Sequence, residues 1–136
     1  MRIAHCISVA GDLKRIGKKQ REAHAAVEQF ERMSLRGVIG KRDRYSGLHI
    51  YRGDQPAAIY KCRVRLERRG ASDGLRYVYE EVQVGDDSWW ICLAVEIHPY
   101  DESSLESTIR ARYGGFDLDR VTDFEVFHSR NPATYD

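Results

Sequence analysis

Between positions 59 and 66 the chain alternates. Tyr60, Cys62, Val64 and Leu66 fall on one side, and Lys61, Arg63 and Arg65 fall on the other. A period of two is that of a half-buried strand, here with three cations in a row on its open face. Gly70 and Gly74 then bracket a turn rich in Arg, Ser and Asp. Leu75–Val84 reads as the next strand, with Arg76 near its start, and residues 85–88 (GDDS) as a hairpin turn. Residues 89–97 (WWICLAVEI) are apolar on both faces, the pattern of a central strand under a helix layer, and Pro99 ends them. Three strands on short turns predict an antiparallel meander.

The flanking segments are read in the same way. Residues 2–9 alternate Ile3, His5, Ile7 and Val9 against Ala4, Cys6 and Ser8, which predicts a short strand. Gly11 and Asp12 break it, with Asp12 as a helix N-cap. Over residues 13–36, Leu13, Ile16, Ala23, Ala26, Val27, Phe30 and Met33 recur at three- and four-residue spacing, predicting helix divided near Gly17. Lys14, Arg15, Lys18, Lys19, Arg21 and His24 form its solvated side. The glycine-rich stretch 37–53 reads as a loop holding a short strand at 48–51. Residues 102–113 predict a helix capped by Ser103 or Ser104 and stopped by Gly114 and Gly115. The tail contains DFEVFHS, read as one more short strand, and then a polar end read as disordered.

These elements define an α+β fold: a small antiparallel-rich sheet with an N-terminal helical hairpin packed on one face and a C-terminal helix. The helices are expected to cover one side only, because such a sheet has one apolar face to bury. Residues 1–113 make the domain and 114–136 a C-terminal extension.

Length and composition narrow the class. A chain of 136 residues has room for one domain with a real core. Its 42% hydrophobic and 10% aromatic content is that of a globular protein. No apolar run has the length of a membrane span and the N-terminus is no signal peptide, so the expectation is a soluble cytoplasmic protein without membrane contact. Cys6, Cys62 and Cys92 lack metal-site spacing and fall in predicted strands, where they read as small buried hydrophobes. His5 reads as a packed or edge histidine, since no second histidine lies at ligand spacing. Tyr77 and Tyr79 share a face with Leu75 and read as core, while Trp89 and Trp90 point opposite ways.

The net charge of +1 hides an asymmetry. Positions 36–76 carry 11 Lys/Arg against 4 Asp/Glu, and positions 77–136 carry 4 against 13. A basic middle on a near-neutral chain points to a local site for a polyanion or an acidic partner. The alternative is that the acidic third folds back and neutralises it.

The segments IYKCRVRL (59–66), GASDGLRYVYEE (70–81) and VEIHPYDE (95–102) resemble the RelE/ParE superfamily of bacterial toxins. In that family a strand with a Y/W-K-x-R/K pattern precedes a glycine-bearing turn and G-[YL]-R-x-[VIL]-[YF]. An apolar strand follows, ending near His, Tyr, Lys or Arg. The resemblance runs over residues 3–113 by order of elements and is strong over 59–76. It implies a RelE-like α+β fold and, in the RelE branch, a ribosome-dependent messenger RNA endonuclease that needs neither metal nor cofactor. In that reaction a 2′-hydroxyl attacks the adjacent phosphate and leaves a cyclic phosphate.

Lys61, Arg63 and Arg76 match the family's basic catalytic positions. Lys61 can serve as base if neighbouring cations depress its pKa. Arg76 would clamp the phosphate with its planar fork. His98 or Tyr100 stands where the family often places its last catalytic residue and can act as acid. Arg65, Arg68 and Arg69, with Lys41, Arg42 and Arg44, are the expected RNA-binding cations. The implied partners are a cognate antitoxin, the ribosome and messenger RNA. Two alternatives go with the same fold: a ParE-like toxin that poisons a protein target such as DNA gyrase, and a non-catalytic binding module. The sequence departs from the family at the strand end, where Asp101 and Glu102 stand in place of the frequent Lys or Arg.

Overall fold

The meander forms as its alternation predicts. In the computed structural model, β5 (Ile59–Val64), β6 (Leu75–Val84) and β7 (Asp87–Ile97) pair antiparallel. The structure describes residues 1–17, 22–66, 74–114 and 120–131. Around the meander lie β1 (Arg2–Cys6), α1 (Val9–Gly17), α2 (Ala23–Leu35), β2 (Asp43–Arg44), β3 (Tyr51–Arg52) and β4 (Gln55–Pro56). After it come α3 (Glu102–Gly114), β8 (Val121–Asp123) and α4 (Phe124–Arg130). The main sheet has the order β2-β5-β6-β7-β1-β8, with β3 and β4 forming a separate pair. The class is α+β with a mostly antiparallel sheet. Its one parallel pair among the described residues joins β1 to β7, Ile3 opposite Trp90. No helix among the described residues is long and apolar enough to cross a membrane.

Both faces of the sheet are buried, which corrects the one-sided expectation. Leu13, Ile16 and Val27 from α1 and α2, with Phe124 and Phe127 from α4, cover the face of Cys62, Val64, Tyr77 and Tyr79. On the other face, Leu105 and Ile109 of α3 cover Ile59, Val78, Ile91 and Ala94 together with Leu48. The cause is β7, which is apolar on both sides: an open second face would leave Ile91 and Leu93 in water.

Several local readings also change. Asp12 does not cap a helix. It lies inside α1, buried, and its carboxylate accepts from the Val95 amide (3.0 Å) and from both terminal nitrogens of Arg112 (2.7 Å each). One acidic side chain thus ties α1, β7 and α3 together near the end of β7. The N-terminus of α3 is capped by Asp101, whose carboxylate accepts from the Ser103 amide (3.3 Å) and the Ser104 hydroxyl (2.7 Å). Residues 46–48 form a 3₁₀ turn, so the short strand expected at 48–51 is reduced to Tyr51–Arg52. DFEVFHS is helical from Phe124, with β8 before it, and Phe124, Phe127 and His128 are buried. His24 is half-buried and donates to the Leu13 carbonyl (2.8 Å) rather than standing in solvent. All three cysteines are buried thiols, as their strand positions predict.

Candidate functional site

The pleat decides which cations meet. Lys61 and Arg63 are on the same side of β5, and their partners across the ladder are Val78 and Arg76. Asp43 pairs with Lys61 and shares that side. Beyond the end of β7 the chain carries His98, Tyr100 and Glu102 over the same spot. Together Asp43, Lys61, Arg63, Arg76, His98, Tyr100 and Glu102 line a pocket of about 210 Å³. The five residues expected to act in catalysis therefore converge, although they come from β5, β6 and the segment before α3.

Gly74 sets the approach of these elements. Its amide plane passes so close to β5 that a Cβ there would lie 2.4 Å from the Val64 carbonyl oxygen. Its own carbonyl accepts from the His98 amide (3.1 Å). Only glycine fits between the ends of β5 and β7, and this fixes where Arg76 enters the pocket. Arg76 is 5% exposed, flanked in register by Arg63 on one side and Glu96 on the other.

Lys61 is not poised as a base. Its amine donates to Glu102 (2.9 Å), and Glu102 also accepts from the Tyr45 hydroxyl (2.6 Å). Burial alone would lower the Lys61 pKa, but the hydrogen bond and the charge of Glu102 outweigh it and raise the pKa above the ordinary lysine value. Burial likewise opposes ionisation of Glu102, yet the bonds from Tyr45 and Lys61 hold its carboxyl below the usual range. The expected depression by neighbouring cations is thus reversed by a carboxylate. The ammonium lies 4.5 Å from the Tyr45 ring centroid and 5.9 Å from that of Tyr100, a fixed cation between two aromatic faces.

The other expected RNA-binding cations divide. Arg42 and Arg44 alternate with Asp43, so they point away from the pocket. Arg42 stacks over Tyr60 (4.0 Å) and donates to Tyr79 (2.9 Å) and Glu81 (2.6 Å). Arg44 donates to the Ala57 carbonyl (3.1 Å). Lys41 and Arg65 are exposed outside the pocket. Arg68 and Arg69 lie outside the described residues. The acidic third does neutralise part of the basic middle, since Arg42 pairs with Glu81, Arg52 with Glu80 and Lys61 with Glu102.

Sequence reading missed Asp43, Tyr45 and Glu102 as parts of this site. Asp43 was legible only through its register with Lys61, and Tyr45 through a contact 57 positions away.

A second polar cluster is buried elsewhere. The Glu31 carboxylate accepts from His5 Nε2 (2.5 Å), His128 Nε2 (2.6 Å) and the Tyr77 hydroxyl (2.5 Å). Glu28 lies 3.3 Å from the other His128 nitrogen. His5, Glu31 and His128 bring metal-ligand atoms within 4.8 Å of one another, the one such group among the described residues. Those atoms already engage each other in hydrogen bonds, so the arrangement stands as a polar link between β1, α2 and α4. Burial works against a charged Glu31. The charge of His5 and the three hydrogen bonds prevail and bring its pKa down to about 2.

Comparison with protein-family models, with curated proteins and with solved structures returned no match. Fold and site together define an α+β protein with a cation-lined pocket at the open end of its meander.

Proposed function

We propose that this protein is a RelE-type toxin that cleaves messenger RNA on the ribosome, without metal, and is restrained by a cognate antitoxin. The observation that carries the reading is the meeting of Lys61, Arg63, Arg76, His98 and Tyr100 in one pocket. Neither a gyrase poison nor a passive binding module requires that convergence.

The chemistry follows from the groups. Arg63 and Arg76 present guanidinium forks to the non-bridging oxygens of one phosphate, where negative charge grows in the transition state. Lys61 adds a fixed positive charge held by Glu102. The rings of His98 and Tyr100 lie 6.0 Å apart, centroid to centroid, and nearly perpendicular. That is an edge-to-face contact, and it leaves both side chains lining the wall of the pocket that would hold the phosphate. His98 takes the proton of the attacking 2′-hydroxyl, and Tyr100 gives its proton to the departing 5′-oxygen. The new bond joins O2′ to phosphorus, the bond to O5′ breaks, and a 2′,3′-cyclic phosphate remains.

The test is induced expression of wild type and Arg76→Ala, reading growth and the ends of cellular messenger RNA. Growth arrest with new 2′,3′-cyclic ends, both lost in the variant, supports the proposal. Arrest without RNA cleavage points to a protein target, and equal effects of both chains remove Arg76 from the mechanism.

A further inference from the structure

We infer that the larger cavity beside the cation pocket is a nucleobase site that favours a base bearing an exocyclic amino group; this rests on the RNA-cleaving reading above. The cavity measures about 370 Å³ and opens between the end of β7, α1 and α3. That is the scale of small-ligand pockets. Tyr100 is a wall of both spaces. The chain around it alternates between them: Ile97, Pro99 and Asp101 line the larger cavity, and His98 and Glu102 line the smaller. A phosphate held by Arg63 and Arg76 therefore lies on one side of Tyr100, with an unfilled space of nucleobase size on the other.

The lining has the two components that a base needs. Pro99, Leu105 and the Tyr100 ring supply apolar and aromatic surface for its faces. Glu96 and Asp101 supply carboxylates at its edge. Glu96 is held by Arg15 (2.9 Å), and Asp101 by Ser104 (2.7 Å), so both are positioned before a ligand arrives. An ionised carboxylate only accepts hydrogen bonds. It pairs with the amino protons of cytosine, adenine or guanine and opposes the carbonyl oxygen that uracil presents at the same position. Cytosine and uracil are nearly equal in shape and differ only at N3 and the 4-position, so the comparison between them reads the net preference of the carboxylate edge.

The experiment is a binding titration followed by NMR, using inorganic phosphate, ribose 5-phosphate, and the 3′- and 5′-monophosphates of cytidine and uridine. The proteins are wild type, Arg76→Ala, Thr108→Trp to fill the cavity from α3, and Glu96→Gln. Cytidine monophosphate should bind wild type about fivefold tighter than uridine monophosphate, the worth of one added hydrogen bond. It should also bind tighter than inorganic phosphate. Thr108→Trp should abolish the advantage of cytidine monophosphate over phosphate, and Glu96→Gln should narrow that between the two nucleotides. Equal affinities of cytidine monophosphate and phosphate for wild type would overturn the base site while leaving the cation pocket standing. Equal affinities of the two nucleotides would overturn the amino-group preference. Phosphate binding that is absent, or indifferent to Arg76→Ala, would bring down the cleavage reading itself and this inference with it.

Discussion

Arg63 on β5 stands directly opposite Arg76 on β6, two like charges in register across one ladder. Like charges directly opposite one another disfavour a strand pairing, and Glu96 stands in register on the other side of Arg76. An anion seated between the two guanidinium groups converts the cost into affinity. We therefore expect phosphate to raise the melting temperature of the wild type, because a ligand bound only by the folded state stabilises it. Arg63→Gln should melt no lower than wild type in a phosphate-free buffer, yet gain less on adding phosphate. A variant that gains as much as wild type would detach Arg63 from the anion site.

Arg76 should matter most for turnover. A guanidinium makes two parallel bonds to a phosphate, which an ammonium cannot copy. Arg76→Ala should lower cleavage of ribosome-bound messenger RNA by about a hundredfold or more, the usual loss on removing one transition-state donor. Arg76→Lys should fall between. Circular dichroism and melting curves separate lost chemistry from lost fold, since full activity in Arg76→Ala would end the mechanism proposed above.

The Lys61–Glu102 bond fixes the sign of a pH effect. Glu102 lifts Lys61 above the ordinary lysine value of 10.5, so the amine is a cation throughout the neutral and mildly alkaline range. Its part in stability is complete below that value and is lost only as pH climbs through the raised pKa. Glu102→Ala removes the partner, and the alkaline limb of the rate profile should move to lower pH. Superimposable profiles, after scaling for rate, would show that the bond has no bearing on catalysis.

Gly74→Ala should be costly for a steric reason. The added methyl would meet the Val64 carbonyl oxygen at 2.4 Å, a backbone atom with no room to retreat. The strand ends must separate, at roughly 2–3 kcal/mol in urea denaturation. Anion affinity should fall too, since Arg76 is anchored two residues on. A near-neutral substitution would mean that the β5–β6 junction yields easily.

Acid stability should bear the mark of Glu31. Its pKa falls from 4.5 to about 2 on folding. A depressed carboxyl contributes stability above its unfolded pKa and loses it as pH falls through the folded one. The window is therefore about pH 4.5 down to about 2, and the loss from this group is roughly 3 kcal/mol. Glu31→Gln should be less stable at neutral pH and show a flatter decline across that window. Parallel declines in the two proteins would assign the acid sensitivity to other carboxylates.

The sequence displayed the meander because alternation is local: each of residues 60–66 declares its own side. It displayed Lys61, Arg63 and Arg76 as neighbours for the same reason. It hid what depends on distant pairing. His5 looked isolated because its partners Glu31 and His128 lie far along the chain on two helices. Glu102 looked like a mere departure from the family's basic strand end, since nothing local shows that its carboxylate is spent on Lys61 and Tyr45. Asp12 had the composition of a cap, and only the fold shows it gripping Arg112. DFEVFHS alternates weakly enough to pass for a strand, but burying Phe124 and Phe127 on one side requires a helical turn between them.

The parallel pairing of β1 with β7 has a consequence for synthesis. A ribosome making this chain releases Ile3 long before Trp90, and Val121 of β8 later still. β1 must wait unpaired while two helices and the meander emerge. Contacts so distant in sequence slow folding, because loop closure must precede any gain from pairing. The nascent chain thus carries an exposed apolar strand through most of its translation, and a binder that captured β1 in that interval would leave β7 and β8 without the strand that lies between them.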